Sequence, residues 1–195
     1  MKIVLASASP RRKELLTQIG IPFEIKVSDV EEKVTTTVPE EVVQELSRQK
    51  AEAVLEICEV FADSEEILVI GADTIVACDG MILGKPADEA DAVRMLRLLA
   101  GRSHEVYTGV TFAYKGAQQE IYSFYEATKV HFAPMTDEEI QTYVNTKDPM
   151  DKAGSYGIQG FCARYITGIE GDYNNVVGLP VGRVYQELKR FGGDL

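Results

Sequence analysis

Ile3-Val4-Leu5-Ala6-Ser7-Ala8-Ser9-Pro10-Arg11-Arg12, continued as KELLTQIG to Gly20, reads as a strand, a small-residue turn and a helix in succession. Pro10 suits the first helical position, where its missing N–H would have no partner in any case. Arg11 and Arg12 then fall in the first turn, at the positive end of the helix dipole, where each cation costs about 0.3–1 kcal/mol. Two arginines beside free helix N–H groups weaken the helix but suit an anion. Leu15, Leu16 and Ile19 supply the apolar stripe, and Gly20 is a stop. The chain therefore opens as an α/β unit with a phosphate site at its turn.

Outward from this unit, Phe23 to Val27 alternates as a strand, and an acidic, Thr-rich loop from Ser28 to Val38 carries Asp29, Glu31 and Glu32. Pro39 opens a long helix with apolar positions at Val43, Leu46, Ala53, Val54, Ile57 and Phe61, and Lys50 shares its inward face. Ile67 to Ile70 is a continuous apolar strand, expected where both sheet faces are covered, ending at Gly71-Ala72-Asp73-Thr74. Ile75 to Leu83 reads as a hairpin about Asp79-Gly80, followed by Gly84-Lys85-Pro86. A helix is expected over Asp88 to Leu99, a large hairpin over 103–115 and 118–132, and a capped helix from Thr136 with Glu139 through Tyr143. Asp151 to Gly178 is Gly-rich and interrupted, and Pro180 starts a final amphipathic helix with Val184, Leu188 and Phe191. Strands and helices mix without strict βαβ alternation, which predicts an elongated mixed α/β sheet with two lobes around a central cleft, in one domain over residues 1–195.

The 195 residues carry 45% hydrophobic and 26% charged side chains, ordinary for a globular protein. A formal net charge of −11 argues against nucleic acid or an anionic membrane as partner. It leaves room for a small anionic substrate at a local cluster of cations. No apolar run reaches bilayer length, and the N-terminus does not read as a signal peptide. Cys58, Cys78 and Cys162 are scattered and form no CxxC, which points to a reducing compartment, the cytoplasm.

Taken singly, Asp73 is a turn-capping aspartate, Glu31 and Glu32 a solvated loop, Lys85 a surface lysine and Lys50 a snorkelling one. Together they describe a polyphosphate site. Arg11, Arg12, Lys50 and Lys85 would neutralise phosphates, and Glu32 and Asp73 would hold Mg²⁺, which takes a few carboxylates plus phosphate oxygens and water. Such an ion polarises a phosphoryl oxygen and acidifies the attacking water. The chemistry is phosphoryl or nucleotidyl transfer to water. GxxxxGK[ST] and GxSxG are both absent, which excludes a P-loop and a nucleophile elbow. His104 and His131 are too few for a histidine-rich metal site, and each is read as structural or surface.

SASPRR at 7–12, Lys50 within RQKAEAV, GADTIV at 71–76, GKP at 84–86, HEVYTGV at 104–110, DKAGSYGIQG at 151–160 and NVVGLP at 175–180 closely resemble the motifs of the Maf-like nucleoside triphosphate pyrophosphatases, across essentially the whole chain. The resemblance implies the mixed fold of the inosine-triphosphate-pyrophosphatase-like superfamily, in which homodimers are common. It implies hydrolysis of a nucleoside triphosphate to monophosphate and pyrophosphate, removing surplus or non-standard nucleotides, with Mg²⁺ or Mn²⁺. Carried over by position, Asp73 is the proton acceptor for water, a role that metal ligation matches equally well. Ser7, Arg11, Arg12, Lys50 and Lys85 handle phosphates, and Glu32 assists at the metal. Arg11, Thr74 and Gln159 resemble the branch acting on dTTP and UTP, not the one acting on 7-methyl-GTP. A neutral Gln amide matches the N3–H and carbonyl edge of uracil or thymine. A nucleotide-binding regulator of cell division is the alternative of another class. The chain departs from the pattern at Cys162, where Gly or Ala is common, and at Asn174, where an aromatic residue is common.

Overall fold

The computed structural model describes residues 1–59 and 66–192. Phe61, assigned above to the face of the long helix, lies outside the described residues. In chain order the elements are β1 (Lys2–Ala6), α1 (Pro10–Gln18), β2 (Glu24–Ile25), α2 (Pro39–Glu59), β3 (Ile67–Cys78), β4 (Met81–Leu83), α3 (Glu89–Leu99), β5 (Ser103–Lys115), β6 (Gln119–Phe132), α4 (Asp137–Asn145), β7 (Ile166–Glu170), α5 (Tyr173–Val177) and α6 (Val181–Leu188). Short 3₁₀ turns fill the segment between α4 and β7. Seven strands form one mixed sheet in the order β2-β1-β3-β5-β6-β7, with β4 hydrogen-bonded to β3. No described helix is long and apolar enough to cross a membrane.

The chain divides into two compact units. The first comprises Met1–Asp73, Thr108–Glu126 and Gly178–Leu195. Here β1 lies between two parallel neighbours, β2 and β3, with Val4 opposite both Glu24 and Val69. Reaching β2 through α1 on one side, then β3 through α2 on the other, makes β1 a point where the winding reverses. Such points carry ligands beyond the carboxyl ends of their strands. Strand alternation aims Val4, Ala6, Ile67 and Val69 at one face, where they pack with Ala51, Val54, Leu55 and Cys58 of α2.

The approach of α2 to that face is unusually close. A Cβ built on Gly71 would lie 2.3 Å from the Ser47 carbonyl, and one on Gly109 of β5 would lie 2.1 Å from the Val43 carbonyl. Val43, Ser47 and Ala51 form a single i, i+4 row of α2, so small residues on sheet and helix mate along one ridge. Ser47 and Thr111, both fully buried, share a hydroxyl hydrogen bond of 2.8 Å along that contact, and Thr111 continues to Ser123 at 2.8 Å. Two apolar positions assigned from spacing, Ala53 and Ile57, are only half-buried, because the ridge over the glycines turns the helix toward Ala51, Leu55 and Cys58.

The second unit comprises Thr74–Tyr107 and Ala127–Val177. Its core gathers Leu96 and Leu99 of α3, Val106 of β5, Phe132 of β6 and Ile140 and Tyr143 of α4. The capping box is complete: Thr136 Oγ1 accepts the Glu139 N–H at 3.2 Å and Glu139 accepts the Thr136 N–H at 2.8 Å. Asp79 and Gly80 turn β3 into β4 with φ of 50° and 75°. Two expected strands differ. Phe23–Val27 shortens to Glu24–Ile25 at the sheet edge, where both residues are exposed. The strand expected to end at Ile70 and the first arm of the hairpin expected from Ile75 are one strand, Ile67–Cys78, which lies between β1 and β5 in the sheet and pairs with β4 over Val76–Cys78. Phe191 lies in a 3₁₀ turn just after α6. Cys58, Cys78 and Cys162 are buried free thiols, and burial pushes Cys162 up to about 12.

His104 is 3% exposed, stands edge-on to Phe132 and Tyr156, and places Nε2 2.7 Å from the Tyr156 hydroxyl. Its buried Nδ1 has no hydrogen-bond partner among the described residues. Burial, reinforced by His131, pushes its pKa down to about 4. The unfolded chain therefore binds this proton between about pH 6.5 and 4 and the folded chain does not. The contribution is complete above pH ~6.5 and is lost as the pH falls through about 4, on the order of 3 kcal/mol in all. Denaturant titrations from pH 7 to 4 should show this decline, and His104→Gln should flatten it; an unchanged slope would remove His104 as its source.

Candidate active site

β1 stops at Ala6, opposite Gly71, while β3 continues through Ala72 and Asp73. The turn Ser7–Ser9 thus begins beside an open stretch of β3. Ser7 is buried, and its Oγ accepts from the Ser9 N–H and from Arg12 Nη1, each at 3.2 Å. A hydroxyl has two acceptor positions and one O–H, so the O–H is what Ser7 has left to offer an anion. Arg12 also donates Nε to the Gly178 carbonyl at 2.8 Å. Two anchors from opposite ends of the chain thus orient one guanidinium. Burial lowers the Arg12 pKa from its usual value; Asp73 opposes that shift, Arg11 reinforces it and Glu32 opposes it. Arg12 stays cationic. Asp73, Arg11 and Glu32 are therefore its electrostatic neighbours.

Asp73 lies two residues after Gly71, so alternation aims it at the α2 face. Lys50 meets it there, with Nζ 2.5 Å from Asp73 Oδ1 and 3.2 Å from Glu32 Oε1. The inward lysine read from helical spacing is thus a bridge between the two carboxylates. The Lys50 and Asp73 side chains are 21% and 15% exposed, enough to receive a ligand while mostly shielded from water. Of the pair Glu31 and Glu32, it is Glu32 that reaches Lys50. Ser7, Arg11, Arg12, Glu32, Lys50 and Asp73 belong to the first unit.

Thr74, Lys85 and Gln159 belong to the second. Asp73 and Thr74, expected beyond a strand end, lie inside β3, and as consecutive strand residues they face opposite sides of the sheet. Lys85 is exposed after β4, where the preceding Gly84 carbonyl accepts from the Gly154 N–H at 3.0 Å. Gln159 is exposed in a loop whose backbone is held upstream, where the Gly157 N–H donates to Tyr143 Oη at 3.3 Å and that hydroxyl donates to Asp148 at 2.7 Å. Lys152, in the same motif, donates to Asp148 and Asp151 at 2.9 Å each, which makes it part of the loop's scaffold.

Glu32 and Asp73 are hard oxygen donors brought to one ammonium. Among the described residues no group of three His, Cys, Asp or Glu could hold a metal ion. A protein-only cage is therefore not formed by these residues, but two carboxylates completed by phosphate oxygens and water are a Mg²⁺ environment. That donor set would fit a divalent ion completed by phosphate oxygens. Sequence reasoning missed the Gly178 carbonyl, which no charge pattern advertises, and Gly71, whose role depends on the helix laid across it.

The family model for Maf-like proteins matches residues 2–191. A dTTP/UTP pyrophosphatase of Agathobacter rectalis is 56% identical, with 100% of this chain and 99% of that protein covered. One from Bacillus thuringiensis subsp. konkukian is 51% identical, covering 100% and 97%. Among solved structures, a HAM1 protein from Coxiella burnetii is similar in fold with a TM-score of 0.52, at 14% identity, over 97% of this chain and 99% of that one.

Proposed function

This chain belongs to the Maf-like protein family, and from that membership and its site we infer that it hydrolyses dTTP and UTP to the monophosphate and pyrophosphate. The observation that carries the chemistry is one ammonium, Lys50, set between Glu32 and Asp73 beside an anchored Arg12. Cations and carboxylates in one cluster suit a polyphosphate attacked by water, where charge must be neutralised on the phosphates and the water oriented. Arg12, with Ser7 and Arg11, receives phosphate oxygens, and Lys50 stabilises the negative charge that grows on them, a role the resemblance also gives to Lys85. Asp73 orients the attacking water and takes its proton. The water oxygen bonds to the α-phosphorus, the bond from that phosphorus to the bridging oxygen breaks, and pyrophosphate leaves with the electron pair. Glu32 and Asp73 would hold Mg²⁺ or Mn²⁺, which when bound supplies Lewis-acid polarisation and acidifies water.

The resemblance to the branch acting on dTTP and UTP assigns base choice to Arg11, Thr74 and Gln159. The Gln159 amide can accept from N3–H and donate to an adjacent carbonyl of uracil or thymine, whereas guanine presents adjacent donors that a carboxylate would accept. Removal of surplus or non-standard pyrimidine nucleotides in the cytoplasm is the corresponding role.

A nucleotide panel run with Mg²⁺, Mn²⁺ or neither tests the reading. dTTP and UTP should yield monophosphate and pyrophosphate, metal-dependently, while 7-methyl-GTP is turned over far more slowly. Release of inorganic phosphate alone would sink the cleavage position.

A further inference from the structure

Glu32 sits on residues 26–38, a stretch with no helix or strand. Within 29–38 no side chain is buried, and Val30, Val34 and Val38 are exposed. Apolar burial therefore does not place this carboxylate. Two side chains of α2 instead hold the backbone on either side of Val34, at Lys33 and at Thr35. Gln49 accepts the Lys33 N–H through Oε1 at 2.9 Å and donates Nε2 to the Lys33 carbonyl at 2.7 Å, pairing with that residue as a neighbouring strand would. One turn earlier, Glu45 accepts the Thr35 N–H through Oε2 at 2.9 Å and the Thr35 hydroxyl through Oε1. The Thr35 hydroxyl, then its N–H, pull the Glu45 carboxyl below its usual range. Glu45 and Gln49 are four residues apart on one edge of the helix, and Lys50 follows directly.

We propose that Glu45 and Gln49 are positioning residues: they clip residues 33–35 to α2 and so keep Glu32 against the Lys50 ammonium, beside Asp73. This rests on the reading that Glu32 serves the pyrophosphatase reaction. α2 then carries both the bridging cation and the fastening of the loop carboxylate, and the two arrive in register because they share a helix.

The test compares Gln49→Ala, Glu45→Ala and Glu32→Gln, singly and with each clip variant combined with Glu32→Gln. Each clip variant should lower kcat/KM on dTTP about 10–100-fold, as removal of an outer-shell partner does. The melting temperature should stay within about 2 °C, since the bonds are exposed. Amide exchange followed by NMR should quicken at Lys33 in Gln49→Ala and at Thr35 in Glu45→Ala, independently of turnover. On the Glu32→Gln background either clip variant should add less than about twofold, because its effect runs through Glu32. A clip variant within about twofold of the parent while Glu32→Gln is impaired would overturn the proposal, as would full additivity in the double variants. Normal turnover in Glu32→Gln would instead sink the underlying reading of Glu32, and the positioning role with it.

Discussion

Asp73→Asn is expected to lower kcat/KM on dTTP and UTP by about 10²–10⁴-fold, the range for loss of a general base. Asp73 is fixed by β3 on both sides, shares the α2-facing side with Gly71, and is 15% exposed. Asparagine keeps the shape and removes the charge. It can still accept from Lys50, and Lys50 retains Glu32 at 3.2 Å, so no ammonium is stranded. The stability change should therefore be about 1 kcal/mol or less, or a few degrees in melting temperature. Turnover is different, because the amide neither takes a proton from water nor binds a cation well. Pyrophosphate release and thermal melts on the same preparation separate the two effects. Near-normal turnover would remove Asp73 from its role. Titrating Mn²⁺ into the variant refines the assignment: recovery at high metal identifies a ligand, and a flat response identifies a base.

Most of the fold is written in local signals. The Thr136–Glu139 capping box, the Asp79-Gly80 turn and the large hairpin over 103–115 and 118–132 are each read from local sequence, and each forms. The expected strand at 23–27 fails because alternation alone does not say how far an edge strand pairs; β1 offers register only to Glu24 and Ile25. The continuity of β3 is hidden for the converse reason, since Gly71 to Thr74 look like a turn between a strand and a hairpin, whereas the whole of Ile67–Cys78 is one strand between β1 and β5. At the site, spacing on α2 puts Lys50 inward, and that is enough to mark it. Which carboxylates it meets depends on a loop folded back over the helix and held by Gln49 and Glu45, a tertiary fact with no periodicity. The Gly178 carbonyl on Arg12 is more distant still in sequence, and every residue offers a carbonyl.

Gly71→Ala should impair activity well beyond its effect on stability, and Gly109→Ala is the control that shows why. Both methyl groups would enter the backbone of α2, at Ser47 O for position 71 and at Val43 O for position 109, so in each case helix and sheet must separate. Neither neighbour is a flexible side-chain tip that can swing away. Overpacking of this kind costs about 1–3 kcal/mol, about 2–10 °C for a chain of this size. The functional consequences diverge along the helix. At position 71 the added methyl also presses on Ala51, at 2.8 Å from its Cβ and 2.9 Å from its N, directly next to Lys50. Moving that turn lifts the ammonium from Asp73 and Glu32, and a displacement of about 1 Å at reacting groups can cost about 10²-fold. At position 109 the contact is with Val43 and Gln44, nearly two turns before Lys50, where helix tilt can absorb part of the shift. Kinetics and melts of the two variants should therefore show similar losses of stability, with the fall in kcat/KM at least tenfold greater for Gly71→Ala. Equal falls would mean that α2 moves as one rigid body and that close packing at Gly71 has no special part in aligning Lys50.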